Sequence, residues 1–110
     1  MNDTAFKTLE QNFLKAQAEY TESMLAIGEY HVTRLKTVID YPMDVAAKDE
    51  FVWVYIYDVP DDEVGIVDEK ARDIVDEVEC GTEVCTLIRV LSHANTVNYY
   101  PQMLKGAHHA

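Results

Sequence analysis

Phe51-Val52-Trp53-Val54-Tyr55-Ile56-Tyr57 consists wholly of aromatic and β-branched residues, a composition that fits a pleated, half-buried surface. In the strand it predicts, Phe51, Trp53, Tyr55 and Tyr57 share one face and Val52, Val54 and Ile56 the other. Apolar residues on both faces indicate a central strand, its smaller aliphatic side suited to helix packing and its aromatic side to core, partner surface or pocket wall. Asp58-Val59-Pro60 ends the run and opens a helix. Pro60 suits a first helical position, and Asp61, Asp62 and Glu63 follow where the helix dipole favours negative charge. Val64, Val67, Ala71, Ile74 and Val78 then recur at threes and fours to about Cys80, with Gly81 as the stop. Val84 to Leu91 alternates again as a strand. Strand, helix, strand over this span is a βαβ unit, whose crossover makes its two strands parallel.

Working outward, Phe6, Leu9, Phe13, Ala16, Tyr20, Met24 and Ile27 are spaced to stack on one face of a helix from Thr4 to Ile27, with Gly28 where a helix often ends. Leu14, Ala18 and Leu25 form a second stripe about a third of a turn away. The two stripes read either as one broad core face or, for the second, as a self-association seam. Glu29 to Asp40 is read as a strand, because Val32, Thr33, Thr37, Val38 and Ile39 are β-branched and Gly28 marks a break. One long helix running on to Tyr41 is the rival. Tyr41-Pro42 ends the element either way. Met43 to Glu50 becomes a connection, with a short helical turn at Val45-Ala46-Ala47. After a turn at Ser92-His93-Ala94-Asn95, Thr96 to Tyr100 is an optional edge strand. The fold class is therefore a single α+β domain over 1–110, order α-β-β-α-β with that optional last strand, its mixed sheet holding one parallel βαβ unit. Residues 102–110 read as a flexible tail.

The 110 residues are one domain's worth of chain, and 48% hydrophobic with 26% charged residues excludes a disordered polymer. Twenty acidic side chains against nine basic ones leave a net charge of -11. Phosphate backbones and anionic membranes are bound by clustered Lys and Arg, which are lacking, so neither direct nucleic-acid nor membrane binding is expected. The first residues show no basic, then apolar, leader pattern, and no window reads as a membrane span; the expectation is a cytoplasmic protein. Cys80 and Cys85 match neither zinc-site nor Cys-x-x-Cys spacing and read as reduced, buried fillers. No metal or cofactor is expected.

Two sets of polar residues carry functional expectations. Asp58 ends one strand of the βαβ unit and His93 follows the next, so parallel neighbours bring the pair to one sheet edge, where open sheets tend to bind ligands. A carboxylate beside an imidazole is the minimum for a general base. Asp62, Glu69, Asp73 and Asp76 form an acidic spine opposite the apolar stripe of the second helix. An excess of negative charge on so small a body steers a basic protein surface toward it. The expectation is a non-enzymatic interaction module, an inhibitor, adaptor or chaperone-like accessory protein, homo-oligomeric through its first helix or aromatic strand face. The alternative is a small enzyme or ligand-binding domain built around Asp58 and His93.

Overall fold

In the computed structural model, which describes residues 3–105, the chain runs through a long helix α1 (Asp3–Leu35), strands β1 (Met43–Lys48) and β2 (Phe51–Val59), helix α2 (Val64–Glu79), strand β3 (Thr86–Ser92) and helix α3 (His93–Tyr99). Short 3₁₀ turns at Asp61–Glu63 and Pro101–Met103 precede α2 and follow α3. β2 is the middle strand, antiparallel to β1 and parallel to β3. The α+β class, the mixed sheet and the βαβ unit over Phe51 to Leu91 stand as read from sequence.

The aliphatic side of β2 is the core. Val54, Ile56 and Val59 are fully buried and cluster with Val32, Leu35 and Ile39 from α1 and its exit, Val67, Ala71 and Val75 from α2, and Ile88 from β3. Each fully buried branched side chain contributes about 1.5–3 kcal/mol of transfer free energy. On the opposite side Trp53, Tyr55 and Tyr57 stack in a row, with centroid spacings of 5.9 and 6.2 Å. Tyr57 alone of them is buried, under Tyr100. α2 ends at Glu79, and Gly81 stops it as expected, with a left-handed φ of 84°.

Three elements differ from the sequence reading. Glu29 to Asp40 is not a strand: α1 continues to Leu35, and a turn follows it. The β-branched residues fit the helix because Val32 is buried against the sheet and the Thr33 hydroxyl donates to the Glu29 carbonyl one turn back, at 2.9 Å. Gly28 lies inside the helix because β1 crosses there: a methyl group built on it would lie 2.1 Å from Val45 Cγ1. The strand is displaced to Met43–Lys48, read as a connection with a helical turn. It pairs with β2 through a two-residue turn in which Asp49 and Glu50 both take left-handed φ, 55° and 67°. Thr96 to Tyr100 is not an edge strand either. Ser92 accepts from the Asn95 N–H and caps α3. Of the stretch read as a tail, Lys105 is anchored to Asp58 through its backbone and to Asp40 through its ammonium; residues 106–110 lie outside the described residues.

Only the second half of α1 is buried against this body. Met24, His31, Val32 and Leu35 are buried, whereas every residue from Thr4 to Ser23 is exposed. A helix of 33 residues is roughly 50 Å long, and the strands beneath it, nine residues at most, span roughly 30 Å. The helix therefore overshoots its sheet. The radius of gyration is 17.7 Å, against about 13 Å for a compact domain of this length.

Candidate functional site

The parallel pairing of β2 and β3 brings their carboxyl ends together, and with them Asp58 and His93. Asp58 sits where the β2–β3 register slips, with φ of 59°, a conformation that Asp tolerates better than most residues. Its backbone N–H donates to Thr96 Oγ1 at 2.7 Å, its Oδ2 accepts from the Lys105 N–H at 2.9 Å, and its Oδ1 bonds His93 Nδ1. Burial pushes the Asp58 carboxyl up, but the Lys105 N–H and the His93 ring outweigh it and hold the group below its ordinary value. The Asp58 side chain is 12% exposed and that of His93 is 65% exposed. With Nδ1–H donating to the carboxylate, Nε2 presents its lone pair to solvent, the arrangement of a general base. The nearby hydroxyls are committed elsewhere: Ser92 Oγ caps α3, and Thr96 Oγ1 donates to the Ser92 carbonyl while accepting from Asp58. Cys80 and Cys85 lie at the far end, before β3; they are free and exposed rather than the buried fillers expected.

The acidic spine is in the open. Glu69, Asp73 and Asp76 occupy the side of α2 away from Val67, Ala71 and Val75, while Asp62 falls in the preceding 3₁₀ turn rather than on the helix; all four are exposed. Among the described residues none of the four takes part in a salt bridge. The basic residues of α2 are engaged otherwise, Arg72 with Asp68 at 2.9 Å and Lys70 with the Val38 carbonyl at 3.2 Å. Asp68, and more weakly Asp76, hold the Arg72 guanidinium above its ordinary value. Exposed Ile66 lies at the amino end of the same face.

Both stripes of α1 meet solvent. Phe6, Leu9, Phe13 and Tyr20 are 54%, 66%, 65% and 57% exposed, and Leu14, Ala18 and Leu25 are also exposed. The broad-core-face reading therefore fails for the amino-terminal half, which meets only the end of the β1–β2 hairpin, Ala47 to Glu50, across a cleft beside Phe13, Ala16 and Tyr20.

A buried polar cluster went unseen in the sequence. His31, which falls in the stretch read as a strand, is helical, buried, and 2.7 Å through Nε2 from Glu79 Oε2. Glu79 also accepts from the Thr86 N–H at 2.8 Å and the Thr86 hydroxyl at 2.5 Å. In the tautomer that carries its proton on Nε2, His31 is the third donor to this one carboxylate. The cluster ties α1 to the entry of β3 and floors an apolar cleft of about 360 Å³ walled by Ile27, Tyr30, Val78 and Val84. His31 Nδ1 is buried there without a partner. A separation of 48 residues leaves no local signal for the pairing.

Among the described residues no group of three or more His, Cys, Asp and Glu is placed to hold a metal ion, and no helix is long and apolar enough to cross a membrane. Comparison with known proteins finds no family model that matches the chain, and no match among curated proteins or solved structures.

Proposed function

We propose that this protein is a non-enzymatic, self-associating interaction module in which α1 joins copies and the acidic face of α2 receives a basic protein surface. The observation that carries it is the exposed Asp62, Glu69, Asp73 and Asp76 set, left without salt bridges among the described residues on a chain of net charge -11. Such a face raises the encounter rate with a cationic surface and disfavours anionic ones. The test is binding of fluorescent poly-L-lysine at low ionic strength, read by anisotropy. Glu69→Lys/Asp73→Lys/Asp76→Lys is expected to weaken binding at least tenfold more than the charge-matched control Glu10→Lys/Glu22→Lys/Glu29→Lys. Equal weakening by the two would overturn the assignment of the face.

A second reading, a small enzyme or ligand-binding domain, is favoured by the Asp58–His93 contact at the strand ends. Against it stand the exposure of His93 and the engagement of the adjacent hydroxyls in the fold. It requires His93→Ala to abolish a turnover or a ligand-induced thermal shift while leaving the unfolding midpoint unchanged.

A further inference from the structure

We propose, resting on the self-association reading above, that two copies of this chain pair antiparallel along residues 4–23 of α1, with Phe6, Leu9, Phe13, Ala16 and Tyr20 as the seam and a two-fold axis between residues 14 and 15. The steps from Phe6 to Tyr20 are three, four, three and four, an average of 3.5, the repeat that keeps one apolar line facing a partner helix. The occupant must bring apolar surface of the same length, and the second copy's own α1 carries it.

Orientation follows from where the sheet lies. The seam runs into the side of α1 that faces its own body: the hairpin end, Ala47 to Glu50, lines a cleft with Phe13, Ala16 and Tyr20, and from Met24 onward the sheet closes on the helix, with Met24 buried, Gly28 against Val45, and His31 and Leu35 buried. Paired helices lie about 8–10 Å apart. A parallel pair would put both sheets into that one gap, at the same level. An antiparallel pair overlaps only along residues 4–23 and brings the partner's bare helix, rather than a second sheet, alongside that hairpin end.

Size and charge agree with this. A parallel in-register pair would set Phe13 against Phe13 and Ala16 against Ala16, crowding one layer and leaving the next hollow. The antiparallel register sets Phe13 against Ala16, Leu9 against Tyr20 and Phe6 against Ser23, mixing large and small side chains in each layer. Residues 4–23 carry Lys7, Glu10, Lys15, Glu19 and Glu22, so nearly all of the -11 resides in the rest of the chain; antiparallel pairing holds those like charges at opposite ends. At just over half exposure, each aromatic residue of the seam has roughly 100 Å² left to bury. With Leu9, Ala16 and the flanking stems, roughly 600 Å² per copy reaches the low end of stable interfaces, about 1,200 Å² in total. Most of a helix's stability in a protein comes from packing its apolar face, which residues 4–23 lack without such cover.

The test uses the full chain carrying Cys80→Ser and Cys85→Ser, oxidised at micromolar concentration. Asn12→Cys/Glu19→Cys places cysteines that face one another across an antiparallel pair, and Asn12→Cys/Gln17→Cys places them for a parallel one. Neither pair can close within a single helix, where the Cα separation exceeds disulfide reach. The expected result is a disulfide dimer from the first variant and little from the second. A dimer from the second only, or a native dimer cross-linked by neither, would overturn the antiparallel arrangement and leave self-association standing. A native mass of 12.6 kDa at all concentrations would remove both. Phe13→Asp is expected to return the monomer, whereas Leu14→Asp, off the seam, keeps the dimer; the reverse would assign association to the Leu14, Ala18 and Leu25 stripe instead.

Discussion

Replacing two helical glycines by alanine is expected to move stability in opposite directions, and the contrast reports where α1 is seated. Gly65 lies in the first turn of α2, and a methyl group built there has nothing within 4 Å. Gly65→Ala therefore gains the helix-propensity difference, about 0.5–1 kcal/mol, with no steric cost. Gly28→Ala gains the same, but its methyl group falls 2.1 Å from Val45 Cγ1, well inside the 3.5–4.0 Å at which carbon atoms attract. Relieving that overlap means pushing α1 off β1 or forcing Val45 from its rotamer, at a cost of about 1–3 kcal/mol. The net expectation is a loss of about 1 kcal/mol, or roughly 4–8 °C in midpoint for a domain near this size. Urea unfolding followed by circular dichroism reads both variants. Val45→Ala in the Gly28→Ala background should return much of the loss, giving a favourable coupling of about 1 kcal/mol in a double-mutant cycle. If Gly28→Ala stabilises as much as Gly65→Ala, then α1 is not seated on β1 at that point, and its amino-terminal half need not overshoot the sheet.

Further outcomes follow from local geometry. Asp49→Asn/Glu50→Gly supplies the residues that a doubly left-handed hairpin turn prefers and should raise stability by about 1 kcal/mol in the same urea assay. Glu79→Ala strands His31 Nε2 and both Thr86 donors in the interior and should cost about 3 kcal/mol, with Glu79→Gln costing less. Because the folded Asp58 carboxyl lies below its ordinary value, its contribution is complete above the unfolded value of 3.8 and is lost as pH falls through the folded one; Asp58→Asn should flatten that acid limb of a stability–pH curve. Burial first, then the charge of Asp44, pushes Tyr57 up from 10.0 to about 12, so its contribution holds below pH 10 and fades between 10 and 12; Tyr57→Phe should remove that alkaline loss.

The parts of this fold legible in the sequence are those where local pattern and tertiary demand agree. The β2 run, the periodicity of α2 and the stop at Gly81 specify the βαβ unit, and the parallel pairing it forces is enough to bring Asp58 and His93 together 35 residues apart. Misreadings arise where a residue serves a distant neighbour. Gly28 answers to Val45, a demand that local spacing does not record, and so passes for a helix stop. The β1–β2 turn is hidden because Asp49-Glu50 takes a conformation usually marked by Asn-Gly. Ser92 caps α3 in a stretch whose Thr96, Val97 and Tyr99 look strand-like. The stripe on α1 is correctly an apolar face, but periodicity says only that a face exists and not how far the covering sheet extends beneath it.

Amide hydrogen exchange along α1, followed against protein concentration, tests most directly whether a second copy covers what the sheet leaves bare. Residues 6–20 are expected to be protected at high concentration and to lose that protection on dilution, while Val32 to Leu35 stay protected throughout. Exchange of residues 6–20 at one fixed rate from the lowest concentration to the highest would contradict the account.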